Sequence, residues 1–169
     1  MNERKVLPDF TMSCCVAMSG KIFFWTWLPY LKKTVNGVVT KFLYDGERPI
    51  YELNGSNSVI NSNIYGINLI CRKDNSGAAA YYFYNAHGDT TNLVKQDGTV
   101  LANYYYDAFG NLTDFGGNKI QQDAADKNPF LYVGEYAEYD KETGLYLMGA
   151  RYYDANVARF VTEDTYTGD

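Results

Sequence analysis

Cysteine is scarce in this chain: three residues, with Cys14 and Cys15 adjacent and Cys71 alone. Adjacent thiols make a poor start for a disulfide framework, and without a C-x-x-C pair there is no zinc knuckle. The thiols read as inert. Histidine is scarcer still. His87 is the one copy, so any Ser-His-Asp or Cys-His arrangement must use it. Basic residues are outnumbered 15 to 20, for a net charge of −5, and they form no stripe. The electrostatic footprint of a nucleic-acid binder is missing, so no nucleic-acid partner is expected. Long apolar runs are absent too. The stretch between residues 11 and 31 is broken by Gly20, Lys21 and Pro29, short of the roughly 20 apolar residues a membrane-spanning helix needs. Arg4 and Lys5 give a weak basic start, but Pro8-Asp9 comes next, and no clear signal peptide results. No P-loop, no G-x-G-x-x-G after a strand, no H-E-x-x-H and no EF-hand pattern occurs. Phe115-Gly116-Gly117 is glycine-rich but lacks the following helix that phosphate binding wants. No metal and no cofactor are expected.

Tyrosine is in excess, 17 of 169 residues. A phenol buries a large ring and still needs a partner for its hydroxyl, which suits the boundary between a packed layer and water. Tyrosine also favours strands. The tyrosines recur with a period. Tyr84-Asn85-Ala86-His87-Gly88-Asp89 is followed 22 residues later by Tyr106-Asp107-Ala108-Phe109-Gly110-Asn111. A similar spacing, 21 residues, links Tyr44-Asp45-Gly46 to Tyr65-Gly66. Periods in this range signal an array of one supersecondary unit whose members lean on their neighbours.

Each unit reads as a strand, a tight Asp-Gly or Asn-Gly turn, a strand ending in Tyr, and a longer turn carrying Asp and Gly. Asp97-Gly98 is expected to be a two-residue hairpin with positive φ at both positions, and Asn54-Gly55 plays the same part earlier. In the longer turn an Asp side chain bonds nearby backbone N–H groups and Gly supplies φ > 0. His87 falls inside that turn, where the next unit has Phe109. Stacked rings at the strand ends add about 0.5–1.5 kcal/mol per pair beyond burial. The expected fold class is mainly β, antiparallel hairpin repeats forming a curved sheet. Residues 1–33 read as an atypical or non-native cap, 34–112 as repeats, 113–127 as a polar loop with at most one helical turn, and 128–169 as a distinct closing element. Strand signal resumes there at Phe130-Leu131-Tyr132-Val133.

That closing element carries Asn128-Pro129-Phe130-Leu131-Tyr132-Val133-Gly134-Glu135-Tyr136, Tyr139-Asp140-Lys141-Glu142-Thr143-Gly144-Leu145-Tyr146, Ala150-Arg151-Tyr152-Tyr153-Asp154 and Arg159-Phe160-Val161-Thr162-Glu163-Asp164. It closely resembles the Rhs repeat-associated core, and the upstream units at Tyr44, Tyr84 and Tyr106 resemble YD repeats. Together the resemblance covers residues 34–168. It implies the end portion of a β-sheet shell that encloses and delivers a C-terminal toxin. In some members the core is an aspartyl autoprotease. The implied partners are further repeats and toxin cargo, and the implied location is secreted or cell-surface. This chain departs from the family at Asp154-Ala155 and Asp164-Thr165, where Asp-Pro is usual, and at Ala158, where Gly is usual. It stops at Thr167-Gly168-Asp169, so the expectation is a shell piece without its toxin and without catalysis of its own.

The residues expected to matter are therefore structural: Tyr44, Asp45 and Gly46; Tyr84 and Gly88; Tyr106, Asp107 and Gly110; Tyr139, Asp140 and Gly144; Tyr153 and Asp154. Arg151 and Arg159 are expected to clamp the sheet through Asp154, Glu163 or Asp164. Asp154 and Asp164 are also the weak candidates for a carboxylate pair running autoproteolysis. A third function class is adhesion, with tyrosines stacking on sugars. Open sheet edges predict self-association.

Overall fold

The computed structural model describes residues 9–14, 29–35, 37–123, 126, 128–134, 136–149 and 151–163. Most of the expected N-terminal cap, and Asp164, lie outside them. Among the described residues every regular element is a strand, paired antiparallel with a neighbour in sequence. Alternating β-branched and aromatic residues interrupted by Asx and Gly explain this: each run is long enough to pair but too short to do anything else. The antiparallel hairpin-repeat fold expected from the sequence is the one observed.

The chain divides into two compact units, Met1–Ala79 and Ala80–Asp169. The first is a meander of β1 (Asp9–Cys14), β2 (Pro29–Val35), β3 (Val38–Asp45), β4 (Arg48–Asn54), β5 (Val59–Tyr65) and β6 (Leu69–Asp74). One face of it carries an ion pair that no local sequence pattern singles out. Arg72 grips Glu52 through both guanidinium nitrogens, at 2.6 and 2.8 Å. Asn61 donates to the same carboxylate and Asn63 accepts from the same arginine.

The second unit begins with β7 (Ala79–Tyr84), β8 (Thr90–Val94) and β9 (Val100–Asn103). A short hairpin comes next, β10 (Tyr105–Tyr106) with β11 (Leu112–Thr113). The closing element then contributes β12 (Ala137–Asp140), β13 (Leu145–Met148), β14 (Arg151–Asp154) and β15 (Arg159–Phe160), a separate four-stranded sheet. The core of this unit lies between the repeats and the closing element. Tyr82, Leu93, Tyr104 and Leu112 are buried from the repeat side, and Phe130, Leu131, Leu145 and Tyr146 from the other.

The repeat proves to be half as long as its sequence period. Five loops, 54–58, 74–78, 85–89, 107–111 and 114–118, share one geometry. The first residue's N–H donates to the fifth carbonyl, and the fourth N–H donates back to the first carbonyl. The first residue's Oδ1 accepts from the fifth N–H in all five loops. It also accepts from the third N–H in the first four. The fourth residue is left-handed each time: Asn57, Gly77, Gly88, Gly110 and Gly117. Loop 95–99 repeats the backbone pattern with Lys95 in first place.

This corrects the expected alternation of tight and long turns. At Asp97-Gly98 only Gly98 has positive φ, 86°, so the loop is a three-residue turn with a bulge. In the Asn54 loop Asn57, not Gly55, takes the left-handed place, at φ 64°. A genuine two-residue hairpin occurs at Gly46-Glu47, between the paired Asp45 and Arg48. The strand-ending tyrosines have a common cause as well. Register shifts fall at Leu43/Tyr44, Ile64/Tyr65 and Phe83/Tyr84. Each tyrosine therefore stands opposite a bulge in the next strand, where Ile50, Ile70 or Thr91 is the extra residue.

Two further expectations fail. Residues 130–133 form no strand: Leu131 O and the Val133 N–H are engaged by Thr90 and Asp89, and both Phe130 backbone groups by the Asn128 side chain. Residues 113–127 contain no helical turn among the described positions.

Candidate functional site

The closing element meets the repeats through the tips of two Asx loops, 85–89 and 107–111. Loop 107–111 presents three carbonyls in succession, and each receives a tyrosine hydroxyl. Tyr132 donates to Ala108 O at 3.3 Å, Tyr153 to Phe109 O at 3.0 Å and Tyr146 to Gly110 O at 2.9 Å. Asn111 reaches the other way, its amide donating to Ala155 O at 3.0 Å. The loop can be read carbonyl by carbonyl only because its own amides are already tied to Asp107 and its backbone pair. Gly110 is forced twice over. Its φ is 94°, and a Cβ there would lie 2.5 Å from Cδ1 of Tyr132.

Loop 85–89 is held by backbone. Asp89 is buried, and its Oδ1 accepts the Val133 N–H at 2.9 Å. Thr90 N–H donates to Leu131 O at 3.0 Å. His87 places Nδ1 2.9 Å from the same Asp89 oxygen, and its ring lies 5.4 Å from that of Tyr132. Val133 is bent to φ 47° to make its contact, a costly conformation for a β-branched side chain. Such strain, of order 1–3 kcal/mol, persists only where surrounding bonds impose it.

Other phenols fix the start of the closing element. Tyr82 donates to Asn128 Oδ1 at 2.7 Å and Tyr104 to Asp126 Oδ2 at 2.6 Å. Tyr106 donates to Thr90 O at 2.8 Å, binding one repeat to the next. Rings of Tyr106, Tyr132, Tyr146 and Tyr139 succeed one another at centroid distances of 4.9–6.0 Å. Burial, foremost, pushes the Tyr104, Tyr106 and Tyr146 hydroxyls far above the ordinary phenol range. They are neutral donors at any ordinary pH. Burial works to raise Asp107, but the Asn111 amide and the Phe109 and Asn111 N–H groups outweigh it and hold the carboxyl below its usual range.

The remaining expected residues are spread along the fold. Tyr44, Asp45 and Gly46 end a hairpin in the first unit. Tyr84 stacks on Tyr82 at 6.2 Å. Tyr139 and Asp140 end β12, and Gly144, at φ 67°, completes the next turn. Asp154 locks a turn by accepting from Asn156 N–H, and Ala158 closes that turn at φ 54°. The Arg151 guanidinium lies 3.8 Å from the Phe160 ring centroid, and Arg159 stands opposite Asp154 in the β14–β15 register. Sequence reasoning missed Tyr132, Asn111 and Asp89 as the contact-makers. Their signal was present only as polar residues at loop tips. Among the described residues, no three His, Cys, Asp or Glu side chains gather into a metal site. No helix among them is long and apolar enough to cross a membrane.

This all-β architecture of antiparallel hairpins has solved counterparts. It matches the crystal structure of TcdB2–TccC3 with a TM-score of 0.57 and 18% identity, over 82% of this chain and 8% of that one. In sequence, the chain is 39% identical over 138 residues to the tRNA3(Ser)-specific nuclease WapA of Bacillus spizizenii. It is 38% identical over 137 residues to the tRNA nuclease WapA of Bacillus subtilis. Each alignment takes in 79% of this chain, which spans about 6% of the length of those relatives. No family model matches. The expectation of a chain apart from any catalysis is corrected here, because the relatives it matches are named as nucleases.

Proposed function

We propose that this chain is a wall segment of an Rhs-type, toxin-related protein. In this reading residues 34–112 supply the Tyr–Asx hairpins, residues 113–127 connect them to the closing element, and residues 128–169 form that element and seal the last hairpins. The observation that carries it is the set of three tyrosine hydroxyls on three successive carbonyls of one repeat loop. A bonding pattern so regular gives an array a defined last course, as a terminal repeat must. The similarity to the WapA nucleases supports the same assignment. The activity we attach to the whole protein is the one in their names, cleavage of tRNA, with the wall serving to enclose and deliver it outside the producing cell or at its surface. The tyrosines and Asx-loop residues have structural roles in this reading, and further repeats are the neighbours of the open strand edges.

The test uses the native polypeptide that carries this segment. Tyr146→Phe removes only a hydroxyl from β13 and Asn111→Ala only a loop carboxamide, so each loosens the seal and leaves the backbone pairing of the strands in place. Enclosure predicts that both variants raise protease sensitivity and tRNA cleavage together. Variants with a measurably weakened seal but unchanged protease sensitivity and unchanged cleavage would refute it.

A further inference from the structure

Of the five loops that share one oxygen wiring, a single one sets a glycine directly behind an asparagine: Asn54-Gly55, between β4 and β5. Glycine adds no side chain to block approach of its own backbone nitrogen to the asparagine carboxamide. The loop favours that approach in three ways. Asn54 Oδ1 accepts the Ser56 N–H at 3.0 Å and the Ser58 N–H at 2.9 Å. This folds the carboxamide over the Gly55 peptide and sets two donors on the oxygen where negative charge would develop. The Gly55 N–H and Asn54 Nδ2 have no hydrogen-bond partner among the described residues, so the nitrogen that attacks and the nitrogen that leaves are both free. Lys41 Nζ bonds Gly55 O at 3.4 Å and also Asn57 Oδ1, and its positive charge favours an anionic nitrogen nearby. Asn85 opens a matching loop without these advantages. Ala86 follows it, and its Nδ2 is held by Asp89 Oδ2 at 2.8 Å.

We propose that Asn54 is a site of spontaneous deamidation in the folded protein. Hydroxide takes the Gly55 amide proton, and the nitrogen attacks Asn54 Cγ, forming a C–N bond and an oxyanion at Oδ1. The oxyanion collapses, the Cγ–Nδ2 bond breaks, and Nδ2 takes a proton from water and leaves as ammonia. Water then opens the cyclic imide at either carbonyl, leaving an aspartate or an isoaspartate at position 54. An aspartate suits the place, since Asp74, Asp107 and Asp114 open matching loops with the same oxygen wiring. An isoaspartate inserts an extra backbone carbon and breaks that wiring, so the β4–β5 hairpin loosens as the protein ages. The site lies in the first unit and stands whether or not the wall encloses a nuclease.

The test incubates the full chain, folded or in urea, at neutral and at mildly alkaline pH. Ammonia release, peptide mass mapping and labelling by an isoaspartyl methyltransferase follow the reaction. Mapping keeps Asn54 apart from Asn36-Gly37, which shares the dipeptide but whose asparagine lies outside the described residues. The folded chain should convert Asn54 at least as fast as the unfolded one, and faster at alkaline pH. Conversion should be at least about tenfold faster than at Asn85 in the same molecules, a barrier difference of about 1.4 kcal/mol. Gly55→Ala should slow it by a similar factor. A Cβ there meets only Val39 Cβ, at 3.6 Å, so that variant keeps its fold, and circular dichroism checks it. Slower conversion of Asn54 in the folded chain than in urea, equal rates at Asn54 and Asn85, or no effect of Gly55→Ala overturns the proposal.

Discussion

Replacing Gly110 with alanine isolates the seal from the turn that carries it. The residue sits at φ 94°, and placing a Cβ on a left-handed backbone costs about 1–2 kcal/mol. The added methyl would also lie 2.5, 2.7 and 2.9 Å from three ring atoms of Tyr132. Overpacking of that kind costs a further 1–3 kcal/mol or so. The expected total is about 2–5 kcal/mol. Gly98 is the internal control. Its φ is 86°, its loop has the same backbone pattern, and a Cβ there meets nothing within 4 Å. Gly98→Ala should therefore cost only the backbone part, about 1–2 kcal/mol. Urea titrations followed by far- and near-ultraviolet circular dichroism give both numbers from the shift in midpoint at constant slope. The tyrosine near-ultraviolet signal should change in Gly110→Ala and not in Gly98→Ala. Equal losses in the two variants would show that Tyr132 does not press on this loop, and the seal would be misdescribed.

Three other outcomes rest on the same geometry. Ala158 is left-handed at φ 54°, so Ala158→Gly should stabilise by about 0.5–1 kcal/mol, the relief of strain less the entropy of a freer unfolded chain; a loss in thermal melting would contradict it. Arg72→Ala leaves the Glu52 carboxylate, 8% exposed, without its counter-charge and should cost about 3–5 kcal/mol, whereas replacing both residues by apolar ones should cost much less; a double-mutant comparison by denaturation decides. Burial raises Tyr104, Tyr106 and Tyr146, while an unfolded tyrosine ionises near pH 10. Their contribution is then intact below about pH 10, and above it the unfolded chain releases protons that the folded chain keeps. Stability should fall by up to about 1.4 kcal/mol per pH unit for each residue, so phenolate absorbance at these sites should appear only as circular dichroism is lost. Full ionisation of all 17 tyrosines with the fold intact would overturn this.

The hairpins could be seen in the sequence because their chemistry is local. An Asx side chain that binds N–H groups two and four positions ahead, with a left-handed residue between, leaves a readable trace at Asp107-Ala108-Phe109-Gly110. The strand-end tyrosines were visible for the same reason, although the bulge opposite Tyr44, Tyr65 and Tyr84 was not. The half-length period was hidden by substitutions that preserve geometry: Asn57 stands in for glycine, and Lys95 takes the first place with Asp97 supplying its oxygen to Thr99 N–H instead. The features that escaped were non-local. Phe130-Leu131-Tyr132-Val133 has a strand's composition, but Leu131 O and Val133 N–H are spent on Thr90 and Asp89, more than 40 positions away. Nothing in the neighbouring residues announces that. The Glu52–Arg72 pair escaped similarly, since it joins β4 to β6 across β5.

The shared loop has a consequence for how such a chain can change length. Hairpin loops begin at residues 74, 85, 95 and 107, and every one closes with the same two backbone hydrogen bonds whatever strands it joins. The phase repeats over two junctions: buried Tyr82 and Tyr104 stand three residues before the loops at 85 and 107, whereas Asn92, of the other face, stands three before the loop at 95. A protein made this way can grow or shrink by pairs of rungs, each pair keeping its buried side chains on one surface.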